Sequence, residues 1–455
     1  RWNKPSIMLQ CEANYSNAHG TPWVYKHQNI GKLVGMPVPG TMTSVSWETL
    51  QDPSLVFGIP IIGYRLPDGS YLENTQLEPD IKVANSPETV VKGEDTQLKM
   101  AVDELLKEID RLIDRPVRIM EVCGTHTVSI FRAGIRQLLP EKVELVSGPG
   151  CPVCVTPNDY LDTAIAYARQ EDVIITTFGD MLKVPGTSSS LNQVKAEGRD
   201  IRIIYSPMDS LQIAKDNPDK KVIFLAVGFE TTSPTAAATI LAAKQQNIKN
   251  FFVLTAHKLT PPAIEALLCD EKIKIDGFLL PGHVCVITGE EPFTFIAQKY
   301  HLPAVVAGFE PLDILQAIYM IAKQIHAKDF KIENQYKRVV KTLGNMQAQK
   351  IMDLVYKKAP ANWRGLGVIE NSGLDLTDAF SEFDALKLIP VNKEISKEPA
   401  GCRCGEVLRG LVKPTDCPLF GKVCTPNHAV GSCMVSVEGT CAAWYKYGSR
   451  VFHFE

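Results

Sequence analysis

The sequence lacks any run of about 18 uncharged apolar residues, the length that a membrane-spanning helix requires. Its first five residues, RWNKP, lack the apolar core of a secretory signal. Lysine and arginine total 48 against 51 acidic residues, and no basic run is long enough to follow a phosphate backbone. These absences predict a soluble, cytoplasmic protein with no membrane or nucleic acid partner.

Cysteine is concentrated in one part of the chain. At 455 residues the chain is long enough to bury its apolar surface without help from disulfides. Six of the 12 cysteines nevertheless fall between Cys402 and Cys441. In a large chain without an export signal, this clustering favours a metal site or reactive thiols over a disulfide framework.

Residues 116 to 325 alternate short β-branched runs with amphipathic segments, which is typical of parallel strands joined by crossover helices. The number of runs favours two α/β units over a single sheet. The predicted strands are 117–122, 143–146, 172–177, 201–205, 222–227, 251–255, 277–280 and 304–307. Helical spacing of apolar residues also predicts a helix over 95–113, before the first of these strands.

Chemically active residues follow most of these runs. In open α/β sheets, the carboxyl ends of the strands form the crevice where ligands bind, so these side chains are expected to converge on one edge. The candidates are Cys123, His126, Cys151, Cys154, Glu230, Thr231, Thr232, His257, His283 and Glu310. The last six are equally compatible with lining the crevice and with capping helices.

Cys123 directly follows the first predicted strand, in a turn that contains Gly124 and opens the next helix. A thiolate at that position is stabilised by the N–H groups of the helix terminus and can bind soft or borderline metals, with His126 as a second ligand or proton partner. The alternative interpretation is a buried, purely hydrophobic cysteine.

The sequence CPVC, from Cys151 to Cys154, could be a redox dithiol, half of a metal site or a packed loop. A thioredoxin-like role requires the motif at a helix N-terminus, where the helix dipole lowers the pKa of the first thiol. Asn158 and Asp159 can cap only a later helix, so we predict that the pair lies in a loop.

The C-terminal cysteines follow the pattern C-x-C-x12-C-x6-C-x8-C-x7-C. Structural zinc sites usually contain two C-x2-4-C pairs, which this pattern reproduces poorly. A [4Fe-4S] cluster takes four cysteines and would leave two as a dithiol. Zinc and purely structural thiols or disulfides are the alternatives.

Many motifs occur together in this chain: EVCGTHT, GPGCPVCVTP, TFGDMLKVPG, GFETTSP, PGHV, VAGFEPLD, WRGLGVIENSG, CGEVLRG, DCPLFGKVC and EGTCAAWYKY. In this order they resemble the HypD family of hydrogenase-maturation proteins, over residues 105–447. The family's first motif usually continues with a histidine, where this chain has Val128.

The resemblance implies a scaffold for the Fe(CN)2CO unit of [NiFe] hydrogenase, working with HypC and receiving cyanide from HypE, which HypF charges. It implies that Cys123 holds the iron together with a cysteine of HypC, that His126 lies beside that site, and that Cys151 and Cys154 are a redox pair. The implied cluster ligands are Cys404, Cys417, Cys424 and Cys441. Cys402 and Cys433 would then form a dithiol, and an exchange of roles between Cys402 and Cys404 is the alternative.

The N-terminal hundred residues contain EANYSNAHGTP, GKLVGMPVPGTMTSVSWE and LEPDIKV, which resemble the end of the catalytic domain of tricorn-type or C-terminal-processing serine peptidases. Ser16 would be the nucleophile and Asn17 its oxyanion-hole neighbour. The family's histidine base lies upstream of this segment, and His19 and His27 are too close in sequence to replace it. This segment is therefore interpreted as a truncated remnant.

We predict two Rossmann-like parallel-sheet α/β units, a small loop-rich iron-sulfur domain and an N-terminal α+β peptidase-like remnant. The predicted domains are 1–104, 105–200, 201–370 and 371–455. The leading function is assembly of the hydrogenase iron centre. The alternatives are a dithiol reductase of the ferredoxin-thioredoxin type, using Cys151 and Cys154, and a serine peptidase.

Overall fold

The computed structural model describes residues 6–448, and the chain divides into two compact units, residues 1–112 and 113–455. Both units contain helices and parallel strands. Within residues 6–448, none of the helices is long and apolar enough to cross a membrane.

The N-terminal unit combines a small parallel sheet with an antiparallel hairpin. Its elements are β1 (Met8–Gln10), α1 (Asn17–His27), β2 (Leu33–Gly35), β3 (Ser44–Thr49), β4 (Val56–Ile62), β5 (Ile81–Lys82), α2 (Pro87–Val91) and α3 (Thr96–Leu112). The parallel sheet has the order β1-β2-β5, and β3 pairs with β4 in the hairpin. The helix predicted over 95–113 is α3.

The second unit carries most of the strands. They are β6 (Val117–Glu121), β7 (Val143–Ser147), β8 (Val173–Thr177), β9 (Ile201–Ile203), β10 (Lys221–Gly228), β11 (Phe251–His257), β12 (Gly277–Pro281), β13 (Ala304–Ala307), β14 (Ile332–Asn334), β15 (Tyr356–Trp363) and β16 (Gly367–Leu376). The eight predicted strands correspond to β6 through β13.

The helices of this unit lie between the strands and in the C-terminal segment. They are α4 (Gly124–Arg132), α5 (Ile135–Leu138), α6 (Pro152–Val155), α7 (Asn158–Ala168), α8 (Leu191–Ala196), α9 (Asp209–Asp216), α10 (Ser233–Gln245), α11 (Thr260–Leu268), α12 (Gly282–Thr288), α13 (Phe295–Gln298), α14 (Pro311–Ala327), α15 (Met346–Val355), α16 (Ala385–Leu388), α17 (Cys404–Leu408), α18 (Ser432–Val435) and α19 (Thr440–Tyr447). Short 3-10 helices cover Gly179–Lys183, Glu291–Phe293, Asp378–Phe383 and Pro414–Asp416.

Two parallel sheets form the core of the second unit. One has the order β14-β13-β12-β6-β7 and the other β11-β10-β8-β9, and every strand pair in both sheets is parallel. Their strands are rich in buried Val, Ile, Leu and Phe because helices cover both faces of such sheets. The prediction of Rossmann-like parallel-sheet units is confirmed.

The sheets do not divide at residue 200, where the sequence placed a domain boundary. β6 and β7 precede that point but pair with β12, β13 and β14, whereas β8 pairs with β9 and β10. After β7 the chain leaves the first sheet and forms the second sheet with β8 to β11. It then returns to the first sheet at β12. The boundary at residue 371 likewise falls inside β16, which pairs with β15.

The strand order places a crevice between β6 and β12. From β6 the chain moves outward to β7, and it later returns to pair β12 on the other side of β6. A reversal of this kind leaves an opening at the carboxyl ends of the two central strands. Cys123 lies between β6 and α4, and His283 lies in the first turn of α12, directly after β12.

Candidate functional site

Cys123 stands at the end of β6 and caps the N-terminus of α4, with an extended backbone conformation at φ −154° and ψ 124°. The predicted strand, turn and helix around it are confirmed. Only 1% of the residue is exposed. Burial raises the pKa of its thiol to about 12, although N–H groups at the start of α4 oppose this shift. The thiol is therefore protonated at neutral pH.

His283 is the side chain that meets the sulfur of Cys123. The Sγ atom lies 3.8 Å from Nε2 and 3.9 Å from Nδ1 of His283. These nearly equal distances place the sulfur beside the ring rather than in line with one N–H bond. Phe309 stacks on the imidazole, with ring centroids 5.1 Å apart, and burial lowers the pKa of His283 to about 4. The imidazole is therefore neutral at pH 7 and is a weak base toward the Cys123 thiol.

His126, the histidine that the sequence favoured, points elsewhere. It is buried on α4, and its Nε2 lies 2.9 Å from the carbonyl oxygen of Gly308. Its Nδ1 is buried without a hydrogen-bond partner in the described part of the chain. Burial lowers the pKa of His126 to about 4. Phe309 separates the two histidines, because its ring contacts both imidazoles.

The loop after β7 packs directly on Cys123. The backbone N–H of Gly124 donates to the carbonyl oxygen of Gly150 at 3.0 Å. A Cβ atom on Gly150 would lie 2.1 Å from the backbone N of Cys123 and 2.4 Å from its Cα. Only glycine fits at this contact, and the next residue along the loop is Cys151.

Substitution of Gly150 tests this contact. We expect Gly150→Ala to lower the free energy of unfolding by about 3 kcal/mol, because the added methyl group meets backbone atoms that cannot rotate away. Thermal or denaturant unfolding measures the change. Gly179→Ala is the matched control, since a Cβ there meets only a methyl group of Ile203 at 3.9 Å. Equal stability of the two variants would contradict the described packing.

Cys151 and Cys154 form a disulfide in this structure. The sequence placed the pair in a loop, but Cys151 caps the one-turn helix α6 and its Sγ accepts a hydrogen bond from the backbone N–H of Cys154. Pro152 makes this turn possible because its fixed φ suits the first helical position. The prediction of an entirely non-helical segment was therefore wrong.

A second disulfide joins Cys404 to Cys433 in the C-terminal segment. The sequence instead placed Cys404 among the cluster ligands and paired Cys433 with Cys402. The observed pair is the one expected from the stated alternative, in which Cys404 and not Cys402 pairs with Cys433. Which of Cys402 and Cys404 would hold a cluster stays a prediction. Gly431 lies close to both residues, since a Cβ there would be 2.7 Å from Sγ of Cys402 and 4.0 Å from Sγ of Cys404.

Four reduced cysteines remain around one cavity. They are Cys402, Cys417, Cys424 and Cys441. Burial raises the pKa of Cys441, and the nearby thiols of the other three raise it further. The rest of the cavity wall is formed by the Cys404–Cys433 disulfide and by Val407, Leu419, Phe420, Gly431 and Met434. Within residues 6–448, no group of three or more His, Cys, Asp or Glu side chains is arranged to hold a metal ion directly.

The C-terminal segment contacts α4, which follows Cys123, and α6, which contains Cys154. The hydroxyl of Ser432 donates to the carbonyl oxygen of Cys154 at 2.9 Å. The hydroxyl of Thr125 donates to Oε1 of Glu438 at 2.8 Å. The two disulfides also share one buried cluster with Phe229 and Trp363. The structure thus joins Cys123, both disulfides and the four-cysteine cavity through continuous packing.

The weaker sequence candidates mostly have structural roles. Glu230 is buried and accepts hydrogen bonds from the backbone N–H and the hydroxyl of Thr260, which start α11. Glu310 is exposed and forms a capping box with Asp313 on α14. His257 packs edge-on against Tyr356. Only His283 among these candidates contacts Cys123.

Comparison with known proteins identifies the family. The family model described as "HypD: Hydrogenase formation hypA family" matches residues 100–448. Hydrogenase maturation factor HypD of Escherichia coli (strain K12) is 48% identical over 353 residues, which cover 77% of this chain and 94% of the relative. The chain belongs to the HypD family.

Further HypD relatives agree with this assignment. The hydrogenase maturation factors HypD of Rhodobacter capsulatus and Azotobacter vinelandii are 46% and 45% identical over 356 and 343 residues. These alignments cover 76% and 74% of this chain, and 94% and 90% of the relatives. All of the candidate cysteines from Cys123 to Cys441 lie inside the matched HypD region.

The N-terminal unit has a different similarity. A model of peptidase family S41 matches residues 1–83. A crystal structure of the tricorn protease is 23% identical, covers 22% of this chain and 10% of the solved chain, and has a TM-score of 0.21.

Ser16 lies where β1 leads into α1, and its φ of 55° is unusual for a residue other than glycine. Strained serines at a strand-to-helix turn occur as nucleophiles. In the described chain, however, no histidine is hydrogen-bonded to the Ser16 hydroxyl. His19 is buried with both ring nitrogens unpartnered, and His27 is hydrogen-bonded to the carbonyl oxygen of Trp23.

Proposed function

We propose that this HypD-family chain is a scaffold on which the Fe(CN)2CO unit of [NiFe] hydrogenase is assembled, with Cys123 as the protein ligand of the iron. The observation that carries the proposal is the position of Cys123 at the crevice between β6 and β12, beside His283 and the loop that leads to the Cys151–Cys154 disulfide. Thiolates are suitable ligands for iron that also binds soft ligands such as cyanide and CO.

Iron binding requires Cys123 to lose its proton, because metals bind the thiolate. The positive charge of the incoming iron favours the thiolate, so the proton is released as the iron binds, and His283 lines the site beside the sulfur. Since the thiol is buried, transfer of iron from a partner also requires the surrounding loops to open.

The four-cysteine cavity suits a [4Fe-4S] cluster. The donor set fits, because four reduced thiols line one largely apolar cavity and remain available after both disulfides form. In this proposal Cys402, Cys417, Cys424 and Cys441 hold the cluster, which supplies a one-electron carrier when bound. The Cys404–Cys433 and Cys151–Cys154 pairs each take up two electrons and two protons on reduction.

The proposed partners follow from the family resemblance. A HypC-type chaperone would share the iron through its own cysteine, and HypE would supply cyanide after HypF has charged it. With Cys123 as the ligand from this chain, most coordination positions of the iron would be left for other ligands.

Complementation tests the proposed function. We expect the full chain to restore hydrogenase activity in a strain that lacks its own HypD, and Ser16→Ala to restore it equally, because Ser16 has no base. Hydrogen uptake by cell extracts measures the activity. Failure of the full chain would contradict the maturation role, while loss of activity in Ser16→Ala alone would assign a function to the peptidase-like unit.

A further inference from the structure

A second cavity, with an accessible volume of about 120 Å³, lies beside the edge strand β7. Its walls come from β6, β7 and α5 on one side, and from α19 and the segment after α17 on the other. This space is smaller than a typical ligand pocket, and it can admit an anion or one anionic group of a larger molecule. Its lining includes five charged residues and one tryptophan, namely Arg118, Arg136, Glu144, Lys413, Asp416 and Trp444.

The cavity has three cationic side chains, and two of them already form ion pairs with a carboxylate. Glu144 binds Arg118 at 3.0 Å and Lys413 at 3.1 Å. Asp416 accepts a hydrogen bond from the backbone N–H of Lys413. Three cationic side chains thus face two carboxylates, and the cavity wall has one net positive charge.

The third cation is Arg136, which the charges of Glu121 and Glu144 stabilise without direct contact. Among the described residues, no carboxylate forms an ion pair with it. Its Nη1 donates to the carbonyl oxygen of Leu145, but its Nε atom is buried and has no hydrogen-bond partner in residues 6–448. The guanidinium lies 4.8 Å from the ring centroid of Phe131 and 5.6 Å from that of Trp444. These rings fix its orientation through cation–π contacts.

A buried donor on a cation is costly to leave unpaired, and a carboxylate or phosphate oxygen is the acceptor that a guanidinium binds best. We infer that this cavity, the Arg136 pocket, binds a small molecule through one anionic carboxylate or phosphate group. Arg136 is its main contact, and Arg118 and Lys413 add positive potential at the rim. The pocket is distinct from the Cys123 crevice and from the four-cysteine cavity.

Titration of the purified full chain tests this inference. Inorganic phosphate and succinate are added separately in a phosphate-free buffer, with sodium chloride at matched ionic strength as reference. Calorimetry measures binding, and tryptophan fluorescence reports on Trp444. We expect saturable binding of one anion per chain by at least one of the two probes. A response to phosphate alone assigns a phosphate-bearing ligand, and a response to succinate alone assigns a carboxylate.

Substitutions test whether the anion binds in the Arg136 pocket. Arg136→Gln should weaken the affinity at least about tenfold, because it removes a charge-assisted hydrogen bond. Arg132→Gln, at an exposed arginine near the end of α4, should bind as the wild type does. If Arg136→Gln does not fold, Lys413→Gln should still lower the affinity severalfold, and Trp444→Phe should remove the fluorescence change. Binding no stronger than that of chloride, or unchanged affinity in both charge variants, would overturn the inference.

Discussion

Cys123→Ala is expected to lower hydrogenase activity at least about 100-fold in the complementation assay, with little change in stability. Loss of a residue that merely supports a metal ligand already costs 10–100-fold, so loss of the ligand itself should cost more. The substitution removes one sulfur atom from a buried position at the start of α4 and leaves the backbone hydrogen bond to Gly150 in place. Hydrogen uptake and a thermal unfolding curve measure the two effects separately.

Cys285→Ala is the matched control for this variant. Cys285 is also a buried, reduced cysteine, and it lies on α12 two residues after His283. Its removal should leave at least half of the activity. Equal activity of Cys123→Ala and the wild type would reject Cys123 as the iron ligand and would favour the dithiol reductase alternative, which needs Cys151 and Cys154 but not Cys123.

The second large effect concerns the four-cysteine cavity. We expect Cys402→Ser to lose most of the bound iron and the visible absorption of the cluster after anaerobic purification, from about four iron atoms per chain to nearly none. Cys404→Ser should retain both, because the structure joins Cys404 to Cys433 rather than placing it among the reduced thiols. Iron analysis and absorption spectroscopy measure the difference.

Two further variants complete this comparison. Cys433→Ser should behave like Cys404→Ser, because both residues belong to the same disulfide. Cys269→Ser, at an exposed cysteine outside the cavity, should match the wild type. Loss of the cluster in Cys404→Ser together with its retention in Cys402→Ser would restore the assignment made from sequence.

Strands β6 to β13 of the second unit could be predicted because each is a short buried run that ends in turn residues. Strands β14 to β16 were not predicted, and about half of the residues in β15 and β16 are exposed. The pairing of the strands could not be predicted, since β-branched runs such as β6 and β12 contain no signal for which neighbour they meet. The chain inserts one whole sheet between β7 and β12. Local patterns therefore predicted parallel sheets correctly but placed a domain boundary at residue 200, which the strand pairing does not follow.

For the candidate site too, the sequence predicted local structure but not contacts between distant residues. The position of Cys123 before a helix was visible in sequence, because a glycine turn follows a buried strand. Its contact with His283 was not, since the two residues are 160 positions apart and meet only through the pairing of β6 with β12. The Cys404–Cys433 disulfide likewise depends on the loop around Gly431, which cysteine spacing alone does not describe.

Infrared spectroscopy tests the central proposal most directly. The wild-type chain and Cys123→Ala would be produced anaerobically with the HypC-type and HypE-type partners and purified as complexes. The account predicts stretching bands of metal-bound cyanide and CO in the wild-type complex and their absence in Cys123→Ala. Bands of equal intensity in both complexes would show that another residue holds the iron and would contradict the account.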